Sequence, residues 1–229
     1  MNIGCRIYTE INRPPKDLVE RFQGLPVANI GDNMNRIYCV DSKIKSMNRL
    51  PLLGTAFTIH TLSGDNLMFH KALELAQPGD VLVVSGGGNE RAFCGELMMM
   101  YGKNLGLAGY AIDGSIRDIA EAEQMDFPVF ASGITPQGPY KNGPGEINVP
   151  IAFGGQVVFP GDIVIGDRDG LIFVHTDEAE EVLEKAWKQN AKEERMKKQY
   201  AKGDLIPSFD PDMRERVLEG LMCEVVERV

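Results

Sequence analysis

Short apolar runs and helix-like spacings alternate over residues 79–131. Their order predicts a strand, a glycine loop, a helix, a strand, a turn, a helix and a strand. Such alternation is typical of parallel strands joined by crossover helices. Upstream, residues 54–62 alternate apolar with polar or small side chains, as a strand does, and residues 65–77 show helical spacing after Asp65, a suitable capping residue. The pattern therefore predicts an α/β protein.

The pattern changes in the second half of the chain. Residues 132–148 are rich in Gly, Pro, Ser and Asn and predict a long ordered loop, whereas residues 149–175 predict short antiparallel strands. Further helices are predicted over residues 15–24, 27–37, 177–202 and 210–228. The helix over residues 177–202 is highly charged, and Gly203 ends it.

The length of 229 residues suits one large domain. We expect a single α/β domain over residues 1–205 and a C-terminal helical extension over residues 206–229. No run approaches the ~18–20 apolar residues that a membrane span needs, and the first residues lack the apolar core of a signal peptide. We therefore expect a cytoplasmic protein with no membrane partner.

Charge and residue usage narrow the chemistry. A net charge of -9 argues against nucleic acid as a partner, although a small anionic substrate needs only local cations. The four cysteines are far apart, which indicates neither a zinc ribbon nor a redox pair. The three histidines are isolated, and His60 and His70 are interpreted as structural. Any metal is expected among carboxylates and water, which suits Mg²⁺ or Mn²⁺.

Two candidate segments follow the first strand of residues 79–131. The glycine-rich residues 85–90 either present backbone N–H groups to a ligand or form a tight turn, and they do not match the dinucleotide fingerprint. Gly95 and Glu96 lie at a predicted helix start, where free N–H groups and the helix dipole favour an anion. Glu96 alone is also explained as a residue that complements this dipole.

A third candidate segment follows the next strand, where Arg117 and Asp118 begin a helix. Open parallel sheets bind ligands beyond the carboxyl ends of their strands, which is where both candidate helix starts fall. An arginine binds a carboxylate with two parallel hydrogen bonds, and an adjacent aspartate holds a hard cation. An Arg-Asp pair at a helix start is also an ordinary structural feature.

The spacing of Glu96, twenty residues and Arg117-Asp118 resembles the Asp/Glu-x20-Arg-Asp signature of class II HMG/CHA aldolases in the RraA-like family (4-hydroxy-4-methyl-2-oxoglutarate / 4-carboxy-4-hydroxy-2-oxoadipate aldolases). The glycine-rich loop and the later Pro-Gly-Asp step at residues 160–162 also fit, and the similarity spans residues 20–205. The resemblance implies a layered αββα-type sandwich related to swivelling phosphohistidine domains. It also implies homotrimers or homohexamers with active sites between subunits.

The resemblance assigns roles to the motif. Asp118 would bind Mg²⁺ or Mn²⁺ directly, Glu96 would hold metal-bound water, and Arg117 would bind the substrate carboxylate, so these three would be catalytic. Glu193 of a neighbouring subunit would complete the outer metal shell through water, with Glu194 as the alternative.

The helix start would bind substrate as well. Gly95, Leu97 and Met98 would form this part of the site, with the amides of Leu97 and Met98 on the carboxylate of a pyruvate moiety. The implied activity is metal-dependent cleavage of a C–C bond in a small 2-oxo acid through a pyruvate enolate, with oxaloacetate decarboxylation from the same site. Glu96 departs from the aspartate of the best-known aldolases, which bears on metal or substrate preference.

Two other functions fit the same family. Non-catalytic RraA regulators of ribonuclease E resemble the aldolases but lack the aspartate after the arginine, so Asp118 favours an enzyme. Another small-acid enzyme on this scaffold is the second alternative. Some members have been called demethylmenaquinone methyltransferases, but the chain carries no methyl-donor nucleotide fingerprint.

Overall fold

The computed structural model describes residues 2–224 and residue 226. The last residues of the predicted extension, 225 and 227–229, lie outside the described residues. Two compact units divide between Trp187 and Lys188. None of the helices in the described part of the chain is long and apolar enough to cross a bilayer.

The helices include short ones within the first unit and a long one that crosses the division between units. They are α1 (Lys16–Glu20), α2 (Val27–Asn33), α3 (Leu67–Ala72), α4 (Glu96–Asn104), α5 (Ile119–Gln124), a 3-10 turn (Thr176–Glu178), α6 (Ala179–Tyr200) and α7 (Pro211–Gly220). The strands are β1 (Lys45–Ser46), β2 (Leu52–Thr61), β3 (Asp80–Ala92), β4 (Gly109–Ile116), β5 (Val129–Ile134), β6 (Gly145–Ile147), β7 (Ile151–Phe153), β8 (Gln156–Val158), β9 (Ile163–Gly166) and β10 (Leu171–Val174).

An eight-stranded mixed sheet organises the first unit within the described residues. Its order is β1-β5-β4-β3-β2-β9-β10, and β6 also pairs with β2. Strands β2 to β5 are parallel neighbours joined through α3, α4 and α5, which confirms the crossover pattern predicted for residues 79–131. The β7–β8 and β9–β10 hairpins confirm the short antiparallel strands predicted for residues 149–175.

Alternating side chains of β3 divide the core into layers. Leu82 and Val84 pack with residues of α3, α4 and α5, whereas Val81 and Val83 join an inner cluster that also contains Val164 of β9. A third cluster packs β9 and β10 against α1, α2 and the start of α6. Helices therefore cover two outer faces and an inner apolar layer lies between the sheet halves, which confirms the predicted αββα-type sandwich.

The glycine-rich residues 85–90 belong to a strand, so the predicted glycine loop is wrong. Strand β3 continues to Ala92 through two register irregularities opposite β4. Gly86 on β3 and Gly114 on β4 leave room for the ring of Phe93. A Cβ on Gly86 would lie 2.0 Å from Phe93 Cζ, and one on Gly114 would lie 2.3 Å from Phe93 Cε2. Glycine is needed here for packing on the residue that leads into α4.

Other differences concern where elements end. The helix predicted over residues 27–37 ends at Asn33, because Asn35 and Arg36 adopt positive φ angles of 56° and 64°. The loop predicted over residues 132–148 is shortened from both sides by β5 and β6. The domain limits at residues 205 and 206 stay a prediction.

Replacing Gly86 with alanine tests the packing of Phe93. Because the new Cβ would overlap the ring, we expect Gly86→Ala to lower the free energy of unfolding by about 1–3 kcal/mol in denaturant titrations. Gly220→Ala is the control, since a Cβ at Gly220 would meet no atom within 4 Å. Equal stability of the two variants would contradict this role.

Candidate active site

The ends of β3 and β4 bring the candidate motif together. Strand β3 leads through Phe93 and Cys94 into α4, and β4 leads through Arg117 into α5. Backbone hydrogen bonds join the two connections: the Phe93 N–H donates to the Ser115 carbonyl at 2.8 Å, and the Arg117 N–H donates to the Cys94 carbonyl at 3.0 Å. Residues that are more than twenty positions apart in sequence are therefore fixed side by side by main-chain atoms.

Gly95 allows the Asp118 carboxylate to approach the start of α4. A Cβ at Gly95 would lie 2.1 Å from Asp118 Oδ2 and 2.9 Å from Arg117 Cγ. In that space the Glu96 N–H donates to Asp118 Oδ2 at 3.0 Å. The main chain of α4 thus holds the carboxylate, and it does so without using the Glu96 side chain.

Asp118 adopts a left-handed backbone conformation, with φ 58° and ψ 47°. This conformation costs a residue other than glycine roughly 1–2 kcal/mol, and such residues cluster at functional sites. The Arg117 Nε lies 3.6 Å from Asp118 Oδ2. The Arg117 side chain is 45% exposed and the Asp118 side chain is 40% exposed. A pair this open to solvent adds only about 0–1 kcal/mol to stability. The geometry therefore favours a ligand-binding role over a stabilising one.

The two predicted substrate amides differ in their hydrogen bonds. The Met98 N–H donates to the Gly95 carbonyl at 3.1 Å, within the first turn of α4. The Leu97 N–H makes no hydrogen bond with any described residue. The free donor at this helix start is therefore the Leu97 amide, and a carboxylate there would also face the positive end of the helix dipole.

A cavity of about 470 Å³ contains the motif. Its volume falls within the range of small-molecule sites, about 300–1,000 Å³. The lining residues are Asn66, His70, Phe93, Cys94, Gly95, Glu96, Leu97, Met98, Arg117, Asp118, Glu121, Pro139 and Lys141. The structure thus brings six of the predicted site residues into one cavity, and the strand residues 85–90 are not among its lining.

Sequence reasoning missed His70 and Lys141, two of the titratable residues that line this cavity. His70 lies on α3 and Lys141 lies in the chain between β5 and β6. Burial lowers the pKa of the His70 imidazole, and the nearby Lys141 charge lowers this pKa further. The sequence held no signal for the pair, because a helix pattern and a glycine-rich loop meet here only in three dimensions.

The donor set of the cavity fits an open site for a hard cation. Asp118 Oδ1 accepts no hydrogen bond from the described residues, and Glu96 lines the same cavity. Within residues 2–224 and 226, no three His, Cys, Asp or Glu side chains cluster as a closed cage. Mg²⁺ suits such a site because it keeps several waters and needs only one or two carboxylates.

Glu193 lies in the second unit, on the part of α6 beyond Trp187. Its carboxylate accepts a hydrogen bond from Gln189 Nε2 at 2.9 Å. The sequence assigns Glu193, or Glu194 beside it, to the site of a neighbouring subunit. That assignment stays a prediction.

Comparison with known proteins identifies the family. The RraA-like family model, described as Aldolase/RraA, matches residues 27–173. The chain belongs to the RraA-like family. It is 39% identical over 180 residues to a Halalkalibacterium halodurans protein named "Putative 4-hydroxy-4-methyl-2-oxoglutarate aldolase", a match that covers 78% of this chain and 86% of that protein.

Solved structures of RraA-like proteins share this fold. RraAS2 of Streptomyces coelicolor, described as an unusual member of the RNase ES inhibitor RraA protein family, is 28% identical with a TM-score of 0.72 and covers 82% of this chain and 99% of its own. A Geobacillus kaustophilus protein named S-adenosylmethionine: 2-dimethylmenaquinone methyltransferase is 32% identical with a TM-score of 0.61, covering 65% and 94%. Solved structures similar to this chain thus carry names from different functional classes.

Gly95→Ala tests the close approach of Asp118. The added Cβ would overlap the carboxylate, so we expect a loss of about 1–3 kcal/mol in the free energy of unfolding. Most of this loss should disappear when Asp118→Ala is also present, because the overlapping oxygen is then gone. A penalty that is equal in both backgrounds would show that the Asp118 carboxylate is not the crowded group.

The titration of His70 tests the placement of Lys141. We expect its pKa, followed by NMR, to lie below the ordinary value of about 6.5, so that the ring is neutral at pH 7. Lys141→Met should raise this pKa by removing the neighbouring charge, but not to the ordinary value, because burial remains. Lys71→Met on the same helix is the control. An unchanged pKa in Lys141→Met would place the ammonium elsewhere.

Proposed function

We propose that this RraA-like protein is a divalent-metal-dependent lyase that cleaves a C–C bond in a small 2-oxo acid and releases pyruvate. The observation that carries the proposal is the position of Asp118. Its carboxylate is held by the Glu96 N–H beside Arg117, in a strained backbone conformation that faces a cavity. The exposed Arg117–Asp118 pair contributes little to stability, whereas both side chains are available to a charged ligand.

The carboxylate of the 2-oxo acid meets two kinds of donor in the cavity. The Arg117 guanidinium binds a carboxylate through parallel N–H groups. The free Leu97 N–H at the start of α4 adds a neutral donor aligned with the helix dipole. Together these groups orient the pyruvate half of the substrate.

Asp118 would hold Mg²⁺ or Mn²⁺ directly, with Glu96 on the outer side through water. The cation supplies a Lewis acid for the oxygens of the 2-oxo acid when it is bound. The assembly proposed with this site is a homotrimer or homohexamer, in which Glu193 of one subunit approaches the site of the next. Light scattering of the purified protein tests the assembly separately from the activity.

Negative charge develops on the pyruvate half of the substrate during cleavage, and the site residues act on that charge. Cleavage of the C3–C4 bond leaves its electron pair on C3, delocalised into the 2-oxo group as a pyruvate enolate, while the C4 hydroxyl becomes a carbonyl. The hydroxyl proton passes to water held by the Glu96 carboxylate, and C3 of the enolate then takes up a proton from water to give pyruvate. Arg117 and the Leu97 N–H stabilise the enolate charge as it forms, and one preorganised donor of this kind is worth about 2.7–4 kcal/mol of barrier.

The named relative supports the same reaction. The substrate in the name of the Halalkalibacterium halodurans protein is a 4-hydroxy-2-oxo dicarboxylate, and its cleavage would release pyruvate. Decarboxylation of oxaloacetate leaves the same enolate, so we expect both reactions from one site. The proposed place of action is the cytoplasm.

A second candidate is regulation of an RNA-degrading enzyme, which the similarity to RraAS2 favours. In that case the protein would bind ribonuclease E, and substitutions at Arg117 or Asp118 would leave binding unchanged. A pull-down with purified ribonuclease E, run on the wild type and on Asp118→Asn, separates this function from catalysis.

Pyruvate release from 4-hydroxy-4-methyl-2-oxoglutarate and from oxaloacetate tests the lyase. We expect turnover with Mg²⁺ or Mn²⁺, none with EDTA, and at least about a 100-fold lower kcat/KM in Arg117→Lys and Asp118→Asn. The exposed pair Arg21 and Glu180, bonded at 2.7 Å outside the cavity, offers matched controls in Arg21→Lys and Glu180→Gln. Absence of turnover with either metal would refute the proposal.

Borohydride treatment with pyruvate tests the mechanism, because Lys141 lines the cavity. The proposed reaction forms no Schiff base, so mass spectrometry should find no covalent pyruvate adduct. A trapped adduct on Lys141 would replace the metal-dependent mechanism with one that uses an amine.

A further inference from the structure

The chain on one side of Lys141 is fixed by Arg91. The Arg91 guanidinium lies over the Tyr140 ring, with Cζ 4.0 Å from the ring centroid. The same guanidinium donates to the Tyr140 hydroxyl at 2.8 Å and to the Gly138 carbonyl at 3.0 Å. A stacked and bidentate arginine of this kind holds a loop in one conformation.

The chain on the other side of Lys141 is fixed by Asp65. Its carboxylate is buried, with a relative exposure of 3%. Oδ2 accepts the N–H groups of Asn142 at 2.6 Å and Gly143 at 3.0 Å, while Oδ1 accepts the Leu67 N–H at 2.9 Å. One buried carboxylate thus joins the start of α3 to the residues that follow Lys141.

Lys141 lies between these two anchors and lines the same cavity as Arg117. Among the described residues, no carboxylate oxygen comes within 4.0 Å of its ammonium group, whereas Arg117 already lies near Asp118. Its charge also lowers the pKa of His70 on the facing helix. The cavity therefore holds a second cation that is fixed through its backbone and has no carboxylate partner of its own.

We propose that Lys141 is a specificity-determining residue that binds an anionic group on the departing fragment of the substrate, and that Asp65 is the positioning residue that sets Lys141 in the cavity wall. The inference rests on the proposed lyase function. Arg117 binds the pyruvate half, so a second cation in the same cavity favours substrates with a second carboxylate. Lys141 is then the group that distinguishes 4-hydroxy-2-oxo dicarboxylates from their monocarboxylate counterparts.

Two substrates of matched length test the role of Lys141. Cleavage of 4-hydroxy-2-oxoglutarate releases an anionic fragment, and cleavage of 4-hydroxy-2-oxopentanoate releases a neutral one. We expect Lys141→Met to lower kcat/KM for the first about 10- to 100-fold, mainly through KM, and to change the second by less than about twofold. Lys141→Arg should restore much of the loss, and Lys71→Met is the control. Equal losses on both substrates would overturn the inference.

The role of Asp65 is tested on the same pair of substrates. An asparagine offers only one acceptor oxygen. Asp65→Asn therefore loses the hydrogen bonds either to Leu67 or to Asn142 and Gly143. We expect the same selective rise in KM for the dicarboxylate, and no further loss when Lys141→Met is added, because both changes remove one interaction. Arg91→Met, which frees the other anchor, serves if Asp65→Asn does not fold. Additive losses would show that Asp65 acts apart from Lys141.

Ligand binding separates this inference from the lyase proposal. Calorimetric titration with 2-oxoglutarate and 2-oxopentanoate in the presence of Mg²⁺ needs no turnover. Wild type should bind 2-oxoglutarate more tightly, and Lys141→Met should abolish that preference. If wild type cleaves neither hydroxy acid, the lyase proposal fails, and the binding preference still decides the role of Lys141. Equal affinity of wild type for both ligands would refute it.

Discussion

The candidate site depends on the contact between the connections that follow β3 and β4. Gly95 leaves room for Asp118, the Glu96 N–H binds its carboxylate, and the Cys94 carbonyl receives the Arg117 N–H. Each of these contacts uses main-chain atoms of the two connections, which the parallel strands hold side by side. The Asp118 carboxylate and the Arg117 backbone gain defined positions in this way.

The packing of Phe93 against glycines of β3 and β4 supports this contact. Gly86 and Gly114 leave a space that the Phe93 ring fills, and Phe93 directly precedes Cys94 and Gly95. Strand β3 is irregular in the same stretch, because its register opposite β4 shifts between Ser85 and Gly88 and again between Gly88 and Ala92. The core and the site are therefore linked through one aromatic side chain.

Periodicity was sufficient to predict the α/β class and the parallel central strands, whereas the layered sandwich was predicted from the family resemblance. The spacing of Glu96, Arg117 and Asp118 was sufficient to predict that these residues meet, because neighbouring parallel strands end at the same sheet edge. The role of glycine in residues 85–90 could not be predicted. The same run of glycines is compatible with a loop and with a strand that packs against an aromatic ring. His70 and Lys141 were missed because their contact depends on how the residues after Gly138 cross over α3.

The hydrogen bond from the Glu96 N–H has a consequence for how such a site can change. Since every residue other than proline offers this donor, the side chain at position 96 is free to vary while Asp118 keeps its place. The length of the carboxylate side chain at position 96 then affects its reach into the cavity without moving Asp118. Position 95 has no such latitude, because a single methyl group there would occupy the space of Asp118 Oδ2. The scaffold thus separates a position whose side chain can vary from one at which an added side chain displaces the Asp118 carboxylate.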